Sequence, residues 1–292
     1  EVSEEIHRNF PVIKRRETCI VCQSNSNKYF TSKYGYRIDK CMKCGHLFTN
    51  PYPSVESLNY YYNSSMKDFE NKFFEESFEA RIPIFYPRVD EIGRYINSDE
   101  TLLDVGSAIG IFIEAIYRRG NPFKIEACDL SKNACILLEK KFPKLKVHNI
   151  NIYDFKDKNK HYNAVSLWDT IEHITSPELL LDNINSILAD RGYLFFSTPN
   201  TNSLEWKVMG ENHVQILPPG HVNLYNSRNI SILLEKYNFE VVNILTLNPS
   251  LDVSYILKKK KDDISSRFEQ VFYDLLLESD FNNMFFETSE KI

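Results

Sequence analysis

Four cysteines in the first 44 residues set the first chemical constraint on this chain. Cys19-x-x-Cys22 and Cys41-x-x-Cys44 each present two thiols from one tight knuckle, and about eighteen residues separate the pairs. Thiolates paired in this way complete a tetrahedral sulfur site, the geometry that suits zinc. Four sulfurs leave no position for water or substrate. Cys19, Cys22, Cys41 and Cys44 therefore predict a structural Zn2+, not a catalytic one. His46, just after the second knuckle, is left as a bystander. Cys128 and Cys135 stand apart and read as core thiols. Metal-binding, reduced cysteines point to a cytoplasmic protein.

A second constellation combines small residues with acids. Leu103-Asp104-Val105-Gly106-Ser107-Ala108-Ile109-Gly110-Ile111-Phe112 joins an apolar run to a helical pattern. A turn of this kind lets the backbone approach a ligand, and the helix after it offers N–H groups to an anion. Asp129 ends the next apolar run about twenty residues on, where a carboxylate can accept hydrogen bonds from a ribose diol.

The elements that must position these groups follow from pattern. Lys28–Thr31 and Tyr34–Asp39 predict two strands of a zinc ribbon, whose small core needs a metal staple. Pro53-Ser54 opens a helix over Val55–Tyr62, with its tyrosines packed between ribbon and main domain. Phe69, Phe73, Phe74, Phe78 and Ile82 recur at helical spacing over Met66–Ile96. Pro83 and Pro87 predict a break into two helices there. Strands are expected over Thr101–Val105, Phe123–Cys128, Leu145–His148, Tyr162–Trp168, Gly192–Ser197, Phe239–Leu247 and Val253–Leu257. Helices are expected over Ile111–Arg119, Ser131–Lys141, Pro177–Leu188 and Arg228–Tyr237. This alternation predicts an α/β fold with a doubly wound, Rossmann-like, mostly parallel seven-stranded sheet, its last two strands forming an antiparallel edge hairpin. The chain divides into a zinc-binding ribbon (1–65), a helical connector (66–98), an α/β core (99–257) and a helical tail (258–292) whose apolar residues offer a homodimer surface.

Composition bounds these readings. Of 292 residues, 42% are apolar and 26% charged, which excludes disorder as a description of the whole chain. No run of eighteen apolar residues is present, so no membrane insertion is expected, and the acidic Glu1–Glu5 stretch is no signal peptide. A net charge of -5 argues against nucleic acid and for a small-molecule partner.

The ordered set Asp104, Gly106, Ala108, Gly110, then Asp129, resembles the class I S-adenosylmethionine-dependent methyltransferases, with Ala108 in place of the middle glycine. Asn151-Ile152 stands where that family carries an acid near the adenine. Tyr162–Ile174, with its Glu172-His173 pair, is similar to its fourth strand, and Arg191–Asn200 to its fifth. The resemblance implies S-adenosyl-L-methionine as cofactor, bound by Asp104, Gly106, Ser107, Ala108, Gly110, Phe112, Asp129, Leu130, Asn151, Ile152, Trp168 and Asp169. The ribbon, the Asn50-Pro-Tyr-Pro-Ser54 segment and the tyrosine-rich helix are similar to bacterial sugar and small-molecule methyltransferases. Within that resemblance, Pro218-Pro219-Gly220-His221 and Tyr225 match a segment that carries a catalytic histidine and a nearby tyrosine. His221 is thus the expected general base, with His173 second and His213, in a lid-like loop, third. The implied acceptor is a hydroxyl of a sugar, nucleotide sugar or glycan precursor, which is carbohydrate biosynthesis. The alternatives are an RNA base, or carbon methylation of a sugar without the usual C-terminal domain.

Overall fold

The computed structural model describes residues 2–10, 15–120, 123–155, 161–247 and 283–291. The N-terminal part holds helix α1 (Val2–Asn9) and strands β1 (Asn27–Lys33), β2 (Tyr36–Cys41) and β3 (Leu47–Thr49). β1 and β2 form the expected antiparallel hairpin, turning at Tyr34-Gly35. The knuckles flank it, so each pair of thiols is set by a strand end. Helices α2 (Val55–Tyr62), α3 (Ser65–Glu76) and α4 (Phe78–Ile92) follow. Ser54 caps α2 by accepting from the Ser57 N–H at 3.1 Å.

The break between the connector helices falls at Ser77, not at the prolines, and Pro83 and Pro87 both lie inside α4. Both prolines are exposed. The hydrogen bonds they remove are therefore lost on the solvent side, where water serves the orphaned carbonyls. The opposite face buries Ile82, Val89 and Ile92 against the core.

The α/β part runs β4 (Thr101–Val105), α5 (Ile111–Arg118), β5 (Lys124–Asp129), α6 (Lys132–Lys141), β6 (Lys146–Asn149), β7 (Tyr162–Trp168), α7 (Pro177–Ile187), β8 (Leu188–Pro199), α8 (Leu204–Met209), β9 (Asn223–Leu224), α9 (Ser227–Lys236), β10 (Phe239–Leu247) and β11 (Asn283–Lys291). The sheet order is β10-β11-β8-β7-β4-β5-β6. Strands β6, β5, β4, β7 and β8 are mutually parallel. From β4 the chain winds outward through β5 and β6, then returns to β7 on the other side. The carboxyl ends of β4 and β7 therefore flank the switch point where ligands bind. Leu102, Leu103, Val165 and Leu167 are fully buried in these two central strands, which helices cover on both faces.

One expectation about the C-terminal region is corrected. Residues 283–291, assigned to a helical tail, form a strand. That strand is inserted antiparallel between β8 and β10. The edge strand β10 runs parallel to β8. With both backbone edges of β11 paired inside the sheet, the strand offers no edge to a second copy. The expected strand at Val253–Leu257 and the rest of the tail lie outside the described residues. Among the described residues, no helix is long and apolar enough to cross a membrane.

The ribbon is tied to the α/β part through a shared sheet, ordered β1-β2-β3-β9. β9 comes from the segment after β8 and pairs Leu47 with Leu224 and Phe48 with Asn223. Cys19, Ile20, Val21, Cys41 and Cys44 join Tyr225, Ile230 and Leu233 in one buried cluster.

Candidate active site

The loop after β4 is shaped by backbone conformation. Gly106, Ala108 and Gly110 all have positive φ, at 75°, 45° and 79°. At Gly106 a Cβ would sit 2.9 Å from the Thr170 hydroxyl, and at Gly110 it would sit 2.7 Å from Leu138 and Phe142. Glycine is therefore required twice over, by conformation and by space. Asp129, at the end of β5, accepts from the Ala108 N–H at 2.9 Å and the Ser131 N–H at 2.7 Å, locking the two loops together. Asp104 is buried and accepts from the Ser166 hydroxyl at 2.7 Å. Burial pushes its pKa up to about 7, against the pull of Ser166 and Ser107.

Above this cradle lies an aromatic wall. Phe112 and Phe85 meet Trp168 edge-on, with centroids 5.0 and 6.3 Å away. Arg88 projects from α4 into the same wall, its guanidinium 5.4 Å from the Trp168 ring. It is 3% exposed and donates from Nη1 to the Ile84 carbonyl at 2.8 Å. Its Nε has no hydrogen-bond partner. Burial draws its pKa down, while the charge of Asp169 opposes the shift. Asp169, with φ of 48°, stands exposed at the end of β7 and accepts from the Ser197 hydroxyl at 2.9 Å.

On the far side, two imidazoles meet at a right angle. The His173 and His221 rings are 4.6 Å apart at 84°. His173 Nδ1 is 3.0 Å from the Gly220 carbonyl, and His221 Nδ1 is 2.9 Å from the Gln215 carbonyl. A carbonyl only accepts, so each Nδ1 carries a proton, and Nε2 is the nitrogen of each ring that can exchange one. A Glu172 oxygen and one nitrogen of each ring lie within 4.8 Å of one another. Glu172 is buried, accepts from the Thr198 hydroxyl at 3.1 Å, and is pushed well above the usual carboxylate range by burial and by Asp169. The trio brings one carboxyl and two imidazoles together, a set of groups that can pass a proton.

The four knuckle sulfurs also converge within 4.8 Å. A tetrahedral site with metal–sulfur bonds of about 2.3 Å needs sulfurs about 3.8 Å apart. Cys19 and Cys44 are 3.7 Å apart, and Cys22 and Cys41 are 3.5 Å apart. The Cys44 contact, helped by His46, pulls Cys19 down to about 3, and the same contact raises Cys44. His46 Nδ1 lies 3.7 Å from the Cys19 sulfur, with its ring stacked between Phe48 and Tyr225.

Residues 79–244 match the model of a family described as a methyltransferase domain, which is more than half of the chain. The chain belongs to the methyltransferase-domain family. It is 29% identical over 133 residues to a mitochondrial ubiquinone biosynthesis O-methyltransferase of Candida albicans, covering 42% of this chain and 41% of that protein. It is 26% identical over 136 residues to a ubiquinone biosynthesis O-methyltransferase of Nitrosomonas europaea, covering 42% of this chain and 55% of that one. The matched region thus spans about half the length of these relatives or less. In fold, it is similar to a SAM-dependent methyltransferase from Archaeoglobus fulgidus, with a TM-score of 0.54, 17% identity, and coverage of 75% of this chain and 98% of that one. It is also similar to phosphoethanolamine N-methyltransferase 2 of Haemonchus contortus, with a TM-score of 0.52, 17% identity, and coverage of 84% and 63%.

Within this methyltransferase fold the structure sorts the expected site residues. Asp104, Gly106, Ser107, Ala108, Gly110, Phe112, Asp129, Trp168 and Asp169 gather around the ends of β4, β5 and β7. Leu130 is 63% exposed beside Asp129. Asn151 turns its amide oxygen onto the Tyr153 N–H at 3.0 Å, capping the short 152–154 turn, and Ile152 packs into the core. His173 and His221 come together, while Tyr225 does not join them. Tyr225 is fully buried against His46, so contact with an acceptor is closed to it. Its position is set by the bridge that joins Asn200 to Tyr225 beside β9, a long-range pairing that the His-x-x-x-Tyr spacing does not encode. His213 is likewise no lid residue, being buried 4.1 Å from the Trp206 ring.

Sequence reasoning missed Arg88, Glu172 and Asn223. Arg88 had a signal, since a cation interrupts the buried stripe Ile82, Val89, Ile92 of α4. Asn223 had none. Its amide donates to the Ile174 carbonyl at 2.6 Å and accepts from the Tyr52 hydroxyl at 2.7 Å, joining ribbon, His173 turn and His221 loop.

Proposed function

We propose that this chain transfers the methyl group of S-adenosylmethionine to a hydroxyl of a small-molecule acceptor, with His221 as general base. S-adenosylmethionine supplies, when bound, a methyl on a positively charged sulfur, an electrophile that needs alignment more than activation. The residues present fit it. The positive-φ glycines let the loop turn tightly against Thr170, Leu138 and Phe142 beside the end of β4, Asp129 stands where a ribose would be held, and Trp168 and Leu130 offer apolar surface. The buried, orphaned Nε of Arg88 suits the carboxylate of the methionine part.

The observation that carries the reading is the anchored imidazole pair. Backbone carbonyls of Gly220 and Gln215 fix both tautomers, so Nε2 of His221 is the basic atom, and His173 stands where it can stabilise the charged ring. The relatives named as O-methyltransferases support an oxygen acceptor. Candidate acceptors are sugars, nucleotide sugars and intermediates of ubiquinone-type biosynthesis. The cysteine set would hold zinc through Cys19, Cys22, Cys41 and Cys44, and the metal would supply a rigid fold to the ribbon.

A methylation screen over these acceptor classes identifies the substrate. With it, His221→Ala should leave S-adenosylhomocysteine affinity intact and cut turnover about 100-fold or more. Wild-type turnover would remove His221 from the chemistry.

A further inference from the structure

A second concavity opens where the two cysteine knuckles face α9. Its volume is about 310 Å³, and none of its lining residues belongs to the cofactor loop or the imidazole pair. Arg228 and Lys236 line it from α9, with Ile232 between them. The spacing of four residues puts all three on one face of the helix. Lys43, in the second knuckle, forms part of the opposite wall, with Gln23 and Val21 from the first. No carboxylate lines the pocket.

Among the described residues, none of the three cations is in an ion pair. Lys236 makes one weak contact, 5.4 Å above the Tyr237 ring. All three are exposed around the hollow, and an anion held among them would offset their mutual repulsion. Charge on the thiolates is part of the answer. Four thiolates around a divalent metal leave two negative charges, and Cys22 and Cys44 are in the wall. Three cations exceed two charges.

We propose that this pocket binds a phosphate or diphosphate group. Arg228 would grip two oxygens with its planar fork, Lys43 and Lys236 would add point charges, and the Gln23 amide a neutral donor. Ile232 forms the accessible apolar part of the wall, against which the first carbons bearing the phosphate would rest. The group comes either from a free inorganic phosphate or from a larger organic molecule, and the chemistry of the pocket is the same for both.

Calorimetric titration of the full chain with inorganic pyrophosphate tests this, with zinc content measured alongside. Saturable binding that weakens with salt is expected. The triple variant Lys43→Gln, Arg228→Gln, Lys236→Gln should bind about 10-fold more weakly or worse, with S-adenosylhomocysteine affinity unchanged. Should the triple variant lose zinc, the three single variants decide, each expected to lose affinity about threefold. No saturation by about 10 mM pyrophosphate, or equal affinity in wild type and single variants, overturns the proposal. A parallel titration with a nucleoside diphosphate sugar separates the sources. Binding at least about 10-fold tighter than pyrophosphate, and displaced by it, assigns the phosphate to an organic molecule, whereas equal affinity assigns a free one.

Discussion

The proposed cofactor site and the proposed acceptor site of this molecule are built by different means. The loop 104–110 is shaped by backbone: three residues with positive φ, a strand end, and one carboxylate bridging two neighbouring loops. The proposed acceptor site is built by side chains and carbonyls that distant segments bring together. His173 leans on Gly220, His221 on Gln215, and Asn223 joins both loops to Tyr52 of the ribbon. The first kind of site tolerates Ala108 in place of a glycine because the backbone path is kept. The second depends on the docking of a separate module.

The largest expected effect comes from undoing that docking. Cys19→Ser with Cys44→Ser removes two ligands of the proposed zinc site, and the ribbon should unfold locally. Turnover should then fall below detection while S-adenosylhomocysteine affinity changes less than about threefold. Parallel loss of cofactor affinity in calorimetry would show that the two sites are one cooperative unit. The converse change is Asp129→Ala, which frees the Ala108 and Ser131 N–H groups. Cofactor affinity should drop about 10- to 100-fold, with the melting of the ribbon unaltered. Unchanged affinity would remove Asp129 from the cofactor site.

Asn223→Ala sharpens the comparison at one residue. It strips partners from Tyr52 and Ile174 without touching either imidazole, so Asn223 acts as a positioning residue. Turnover should fall about 10-fold, with cofactor affinity constant, and Asn223→Asp, which keeps the acceptor for Tyr52, should recover part of it. A uniform loss of melting temperature with unchanged turnover would make Asn223 purely structural. The smallest effect concerns Asp104. Its pKa is raised by burial to about 7, so the folded state favours the protonated carboxyl. That contribution to stability is full below its ordinary pKa and is lost as pH rises towards 7. Asp104→Asn should flatten the fall in melting temperature between about pH 4 and 7 by a few degrees at most. An identical pH profile would place Asp104 in a more polar environment than its burial indicates.

Legibility followed the same division. Strands β7 and β10 and helix α2 fall where periodicity puts them. The glycine loop, Asp129 and the paired cysteines were legible because their chemistry depends on residue type at short spacing. Tyr225 was misread because its distance from His221 along the chain says nothing about which way β9 turns it. Pro83 and Pro87 were read as breakers because their exposure, which makes the lost hydrogen bonds cheap, is a tertiary property.

By itself, then, the amino-acid sequence determined the α/β alternation, the glycine loop after β4 and the four-sulfur set, since each rests on local backbone preference or on thiols a few bonds apart. Only the tertiary structure decided which side chains gather around the imidazole pair and the Trp168 wall. β3 had to recruit β9, β11 had to enter the sheet from the far end of the chain, and α4 had to carry Arg88 against Trp168. Those contacts join residues tens to hundreds of positions apart. They are selected by the burial of whole elements, which no short stretch of sequence records.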